Sequence, residues 1–137
     1  MRVLLISSLS TTLIFSSLLV VRAQKHELSV QTGHSGQVLS IAFTSDKLMA
    51  SGSVDKTIVL WNQATGNQLR ALKGHAGTVN SVAFSPDDKQ LASGSADNTI
   101  KIWDVASGRE KQTMTGHTLF VSSVAFSPSD SANDARH

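Results

Sequence analysis

The chain has no cysteine. That excludes disulfides, thiolate zinc sites, a nucleophilic thiol and the lipid-modified cysteine of a bacterial lipoprotein. A domain of this composition rests on packing alone, whichever compartment it occupies. No block of like charge forms an acidic or basic tail, and no basic stripe gives nucleic acid an electrostatic footing. Gly-x-Ser-x-Gly, a phosphate loop and His-Glu-x-x-His are all missing, and with them the short motifs that announce catalysis.

Charge is also missing from residues 3–21, nineteen positions in a row. Met1-Arg2 precedes that run and Arg22-Ala23 follows it. A short basic start, an apolar core and a small residue before a cut form the layout of a secretory signal peptide. This layout predicts a helical signal segment at 1–23, cleavage between Ala23 and Gln24, and a periplasmic or secreted chain. The alternative is an uncut signal anchor, since nineteen residues approach the span of a membrane helix. Seven of the nineteen are Ser or Thr, which favours cleavage. Removing residues 1–23 takes away Arg2 and Arg22, so Lys+Arg falls from 12 to 10 against 10 Asp+Glu.

What the chain does have is repetition. Gly-His occurs at Gly33-His34, Gly74-His75 and Gly116-His117, spaced 41 and 42 residues apart. Val82-Ala83-Phe84-Ser85-Pro86 returns at Val124-Ala125-Phe126-Ser127-Pro128, with Ile41-Ala42-Phe43 as a looser first copy. Ala50-Ser51-Gly52-Ser53 returns as Ala92-Ser93-Gly94-Ser95. A period of roughly 40–45 residues carrying these marks is that of a four-stranded propeller blade.

Each complete repeat reads as four strands about ten residues apart. The first strands fall at 38–43 and 79–84, the second at 48–53 and 90–95. The third, at 57–61 and 99–103, are rich in β-branched residues, and the outer ones fall at 68–72 and 111–115. Ser85-Pro86-Asp87-Asp88 is reverse-turn chemistry, with Asp88 placed for a left-handed backbone. The first repeat is one residue shorter, inside its first hairpin, where a deletion leaves the strand faces unchanged. The segment 24–32 alternates apolar and polar residues like a flanking outer strand.

These residues resemble the WD-repeat (β-transducin repeat) family over roughly residues 25–128. Gly74-His75, Ala92-Ser93-Gly94-Ser95, Asp97 and Thr99-Ile100-Lys101-Ile102-Trp103-Asp104 form a near-consensus repeat. Asn62 departs from the Asp of Trp-Asp and is expected to weaken one terminal hydrogen bond. The resemblance implies an all-β, partial β-propeller: repeat 1 at 33–73, repeat 2 at 74–115, a truncated repeat 3 at 116–128 and a disordered tail at 129–137. It implies two structural tetrads, His34, Ser51, Asp55, Trp61 and His75, Ser93, Asp97, Trp103. It also implies a protein-binding face carrying Val54, Lys56, Ala96, Asn98, Ala76 and Thr78.

Ser, His and Asp invite a hydrolase reading, but the same trio at the same offset in each repeat is what scaffolding requires. His34, His75 and His117 lie about forty residues apart and His26 falls in the flanking strand, with no ligand pair at helix or hairpin spacing, so neither a metal nor a cofactor is expected. The expected function is an exported, non-catalytic scaffold for a protein or peptide. The alternatives are the remnant of a larger enzyme, such as a caspase-like peptidase or protein kinase with such repeats, and a non-functional truncated product. Two blades bury their faces only against neighbours. The flanks are therefore expected to stay bare, Val121, Val124 and Phe126 included, unless copies associate to complete a ring.

Overall fold

The computed structural model describes residues 33–128. The signal segment 1–23, the flanking strand at 24–32 and the tail 129–137 lie outside the described residues. Eight strands follow in order: β1 (Val38–Phe43), β2 (Leu48–Ser53), β3 (Ile58–Asn62), β4 (Gln68–Leu72), β5 (Val79–Phe84), β6 (Gln90–Ser95), β7 (Ile100–Asp104) and β8 (Glu110–Met114). They form two antiparallel sheets, β1-β2-β3-β4 and β5-β6-β7-β8, each a meander between sequence neighbours. Five of the eight strands start where the sequence places them; β3 and β7 each begin and end one residue later, and β8 begins and ends one residue earlier.

 

Counted at both ends, the matching strands are β1, β2, β4, β5 and β6. The shifts at β3, β7 and β8 are single residues at strand ends, where the Asn62 and Asp104 backbones join the ladder opposite Leu48 and Gln90.

The turns explain why the strands stop. Lys47 and Asp88, at φ 66 and 60, occupy the same left-handed step of the first hairpin in each sheet. Asp87 holds the longer hairpin by accepting from Ser85 Oγ at 2.6 Å and Lys89 N at 3.0 Å. Glycine is needed at Gly66 and Gly108, where φ is +75 and +74 in the turn before the outer strand. Asn62 Oδ1 accepts from Ala64 N and Thr65 N at 2.9 and 3.0 Å, much as Asp104 Oδ2 accepts from Ser107 N at 2.8 Å. The neutral amide therefore keeps the turn bonds of the first repeat, without the charge that strengthens them in the second.

The core lies between the sheets. Ala50, Ile58, Leu60 and Leu72 of the first sheet meet Val79, Val82, Leu91 and Trp103 of the second. The second strand of each sheet is made of small residues because a neighbour presses on it. A Cβ on Gly52 would stand 2.7 Å from Val79 Cγ1, and one on Gly94 2.6 Å from Val121 Cγ1. These contacts are too close for any larger side chain without a shift of the packed sheet.

One expectation needs correcting. Residues 121–126 form no strand, because no second strand follows within the described residues to pair with them. Nor is that flank bare: Val121 is buried, and Val124 and Phe126 are half-buried. The segment sits on the second sheet as β5 sits on the first. Val124 N donates to Ser81 Oγ at 3.1 Å, repeating the bond from Val82 N to Ser40 Oγ at 3.1 Å. Packing on one face thus survives without an edge-to-edge ladder. At the opposite end no described strand lies beyond β1, and its Val38, Leu39, Ile41 and Phe43 are all about half exposed.

Candidate functional site

In the second sheet, β6 supplies Ser93, β7 supplies Trp103, the β6–β7 turn supplies Asp97 and the loop entering β5 supplies His75. The structure brings all four together. His75 Nδ1 lies 2.9 Å from Asp97 Oδ2, and His75 Nε2 lies 2.7 Å from Ser93 Oγ. Trp103 Nε1 donates to Ser93 Oγ at 2.8 Å, and its ring meets the imidazole edge-on with centroids 6.1 Å apart. One proton order satisfies every group: indole N–H to Ser93, Ser93 O–H to Nε2, and Nδ1–H to the carboxylate.

The first sheet repeats the arrangement. His34 Nδ1 lies 3.0 Å from Asp55 Oδ2, His34 Nε2 lies 2.7 Å from Ser51 Oγ, and Trp61 Nε1 donates to Ser51 Oγ at 2.8 Å. Trp61 is only half-buried, whereas Trp103 is enclosed.

Each Asp does more than hold a histidine. Asp97 also accepts from Thr99 Oγ1 at 2.6 Å, Thr99 N at 2.9 Å and Ala76 N at 2.9 Å. Burial by itself would raise its pKa; the hydrogen bonds from Thr99, His75 and Ala76 outweigh it and hold the carboxyl well below its usual range. Asp55 is held low in the same way, with Thr57 and Ser35 as its donors. Burial lowers the pKa of His75, against the opposing pull of Asp97. The neutral imidazole demanded by the proton order is therefore also the form that burial favours.

This arrangement is poorly suited to nucleophilic chemistry. Ser93 is fully buried and its oxygen already takes the indole N–H. An attacking oxygen needs an approach path and donors beyond it for the developing charge. A cleft of about 320 Å³ opens beside the first tetrad, lined by Gly33, Ser35, Asp55, Thr57, Gln68, Ala71 and Lys73. Ser51 and His34 do not line it. In the second sheet the matching space is crossed by Lys101, whose Nζ donates to Glu110 Oε2 at 2.7 Å and Thr113 Oγ1 at 2.8 Å. Among the described residues, no group of three or more His, Cys, Asp or Glu side chains is placed to hold a metal ion.

The residues assigned to a binding face lie at one end of the sheets. Val54 N donates to Gln37 O at 2.9 Å and Ala96 N to Thr78 O at 2.8 Å, so each Gly-His loop is tied to the β2–β3 or β6–β7 turn of its own sheet. Val54, Lys56, Ala76 and Ala96 are exposed; Thr78 and Asn98 are half-buried. Lys56 and Asn98 hold left-handed turn positions, at φ 76 and 70. Asn98 Nδ2 also reaches Thr118 O of the third Gly-His loop at 3.5 Å.

Sequence reasoning missed two groups here. Leu119 and Phe120 are 73% and 61% exposed, and they stand where the first two loops carry Gly36-Gln37 and Gly77-Thr78. Aligning the three Gly-His loops exposes that substitution. Thr57 and Thr99 were the other omission, although a Thr two residues after the turn Asp in both repeats was legible.

The family described as "WD domain, G-beta repeat" matches residues 25–62, 66–104 and 108–131. The chain belongs to the WD-repeat family. It is 40% identical over 55 residues to guanine nucleotide-binding protein subunit beta-1 of Caenorhabditis briggsae, covering 40% of this chain and 16% of that protein. It is 38% identical over 64 residues to Coronin-7 of Mus musculus, covering 45% of this chain and 7% of that protein. Among solved structures, the RRP9 WD40 repeats align with TM-score 0.65 and 36% identity, covering 68% of this chain and 28% of that one. The chain thus spans less than a third of each of these relatives.

Proposed function

We propose that this chain is a non-catalytic scaffold that binds a protein or peptide on the face formed by its Gly-His loops and the β2–β3 and β6–β7 turns. The observation that carries this reading is the contrast between its polar groups and its apolar surface. Every Ser, His and Asp of the two tetrads is consumed by internal bonds, while Leu119, Phe120 and Val54 stand exposed at the same end of the sheets. Exposed aromatic and aliphatic side chains beside polar turn residues make a protein contact surface, and loops on a rigid sheet are where such contacts are built. Residues 1–23 serve in this reading as an export leader, with the mature chain beginning at Gln24.

The test is a pull-down from the exported fraction with the full chain and with a Leu119→Ser/Phe120→Ser variant. The variant should lose a captured partner by tenfold or more, with its melting temperature within about 2 °C of the parent, as expected for exposed sites. Equal capture by both proteins would move the contact elsewhere. Mass spectrometry of the secreted protein should find Gln24 as its first residue; an intact Met1 would leave the chain anchored.

A further inference from the structure

The two sheets of this chain contact each other through matching parts, and each part has a second copy on an outer flank. Val79 and Val82 press onto Gly52, Val82 N donates to Ser40 Oγ, and Arg70 Nη1 donates to Ser107 O beside Gly108. On the open flank of β1, Val38 and Ile41 hold the ladder positions of Val79 and Val82, opposite Ser53 and Ser51 as those are opposite Ser95 and Ser93. On the far flank of the second sheet, Gly94 and Ser81 hold the positions of Gly52 and Ser40. Gln112, opposite Ile102, holds the position of Arg70, opposite Leu60. Gly66 holds that of Gly108 with the same left-handed backbone, and nothing lies within 4 Å of where its Cβ would be.

We infer that the β1 flank docks head to tail on the Gly94 flank of a second copy, with residues 121–126 as the strap that must leave first. In the joined state Val38 and Ile41 of the second copy replace Val121 and Val124 over Gly94, and the Ile41 N–H takes Ser81 Oγ. The contact is the chain's own sheet-to-sheet interface continued between molecules. Lys47 has the turn position of Asp88, which bonds Ser45 of the neighbouring sheet; in the joined state it faces the Pro86-Asp87 turn, so the charges are of opposite sign. The contact is heterologous, and it closes only if the rotation per copy permits a ring. With two four-stranded sheets among the described residues of each copy and propellers of about four to eight blades, closure by these sheets takes roughly two to four copies.

The strap makes the association conditional. Three bonds hold it: Val121 N to Ser95 O at 2.9 Å, Val124 N to Ser81 Oγ at 3.1 Å, and Asn80 Nδ2 to Val121 O at 2.9 Å. A lone segment covers less of the sheet than a complete neighbouring sheet would, so high concentration favours exchange.

Sedimentation equilibrium of the full chain across a hundredfold concentration range tests this. The mass of the parent should rise with concentration. Ile41→Asp changes a side chain that is already half exposed, so the fold should keep its circular dichroism while the midpoint moves at least tenfold higher. Val124→Asp should loosen the strap and move the midpoint at least tenfold lower. A parent that stays monomeric throughout, as when residues 24–32 cover β1, would overturn the proposal. So would association that Ile41→Asp leaves unchanged, as when residues 1–23 drive it.

Discussion

Trp103→Ala should cost about 3–5 kcal/mol of folding stability, read from urea unfolding followed by circular dichroism. The indole is almost wholly enclosed, and it packs into the core cluster with Leu91 and Val79. Removing it leaves a cavity and takes the N–H away from Ser93 Oγ. Small domains hold only about 5–15 kcal/mol in all, so much of the variant should be unfolded at room temperature if the parent lies near the low end. Trp61→Ala should cost visibly less, because Trp61 is half-buried and already gives part of its surface to solvent. Equal losses for the two would mean that enclosure is not what sets the cost.

Asp97→Ala should cost about 1–3 kcal/mol at neutral pH, because four donors around one carboxylate lose their acceptor. Acid should act on the parent in the same direction. Asp97 is held below its ordinary value of 3.8, so its contribution is whole above that pH and fades as the pH falls further. His75 is held below its ordinary value of 6.5; its contribution is whole above 6.5 and begins to fade once the pH drops past it. Stability should therefore decline in two stages, first below about 6.5 and again below about 3.8. The Asp97→Ala variant should show a smaller second stage, with Asp55 and the more exposed Asp87, Asp104 and Glu110 supplying what remains.

The fold was legible because the repeat puts the same demand on the sequence twice. Small residues in the second strand, a left-handed turn position and β-branched residues in the third strand all recur with one spacing. The tetrads were legible for the same reason, since a hydrogen-bonded chain needs its donors and acceptors at fixed offsets. The state of residues 121–126 was not. The sequence there copies β5, but whether a segment pairs depends on a second strand, and whether it is covered depends on the sheet it rests on. Leu119 and Phe120 escaped notice because an exposed contact residue has no internal partner to fix its identity. Such positions differ between repeats, and pattern matching passes over what differs.

A double-mutant cycle on His75→Ala and Asp97→Ala, measured by equilibrium unfolding at pH 7.5, reaches the central issue most directly. If the pair braces the sheet from within, the two losses should fall short of additivity by at least about 1 kcal/mol, as for contacting groups in one buried network. Losses that simply add, with both single variants as stable as surface changes, would mean that histidine and aspartate are not structural partners and that their chemistry lies elsewhere.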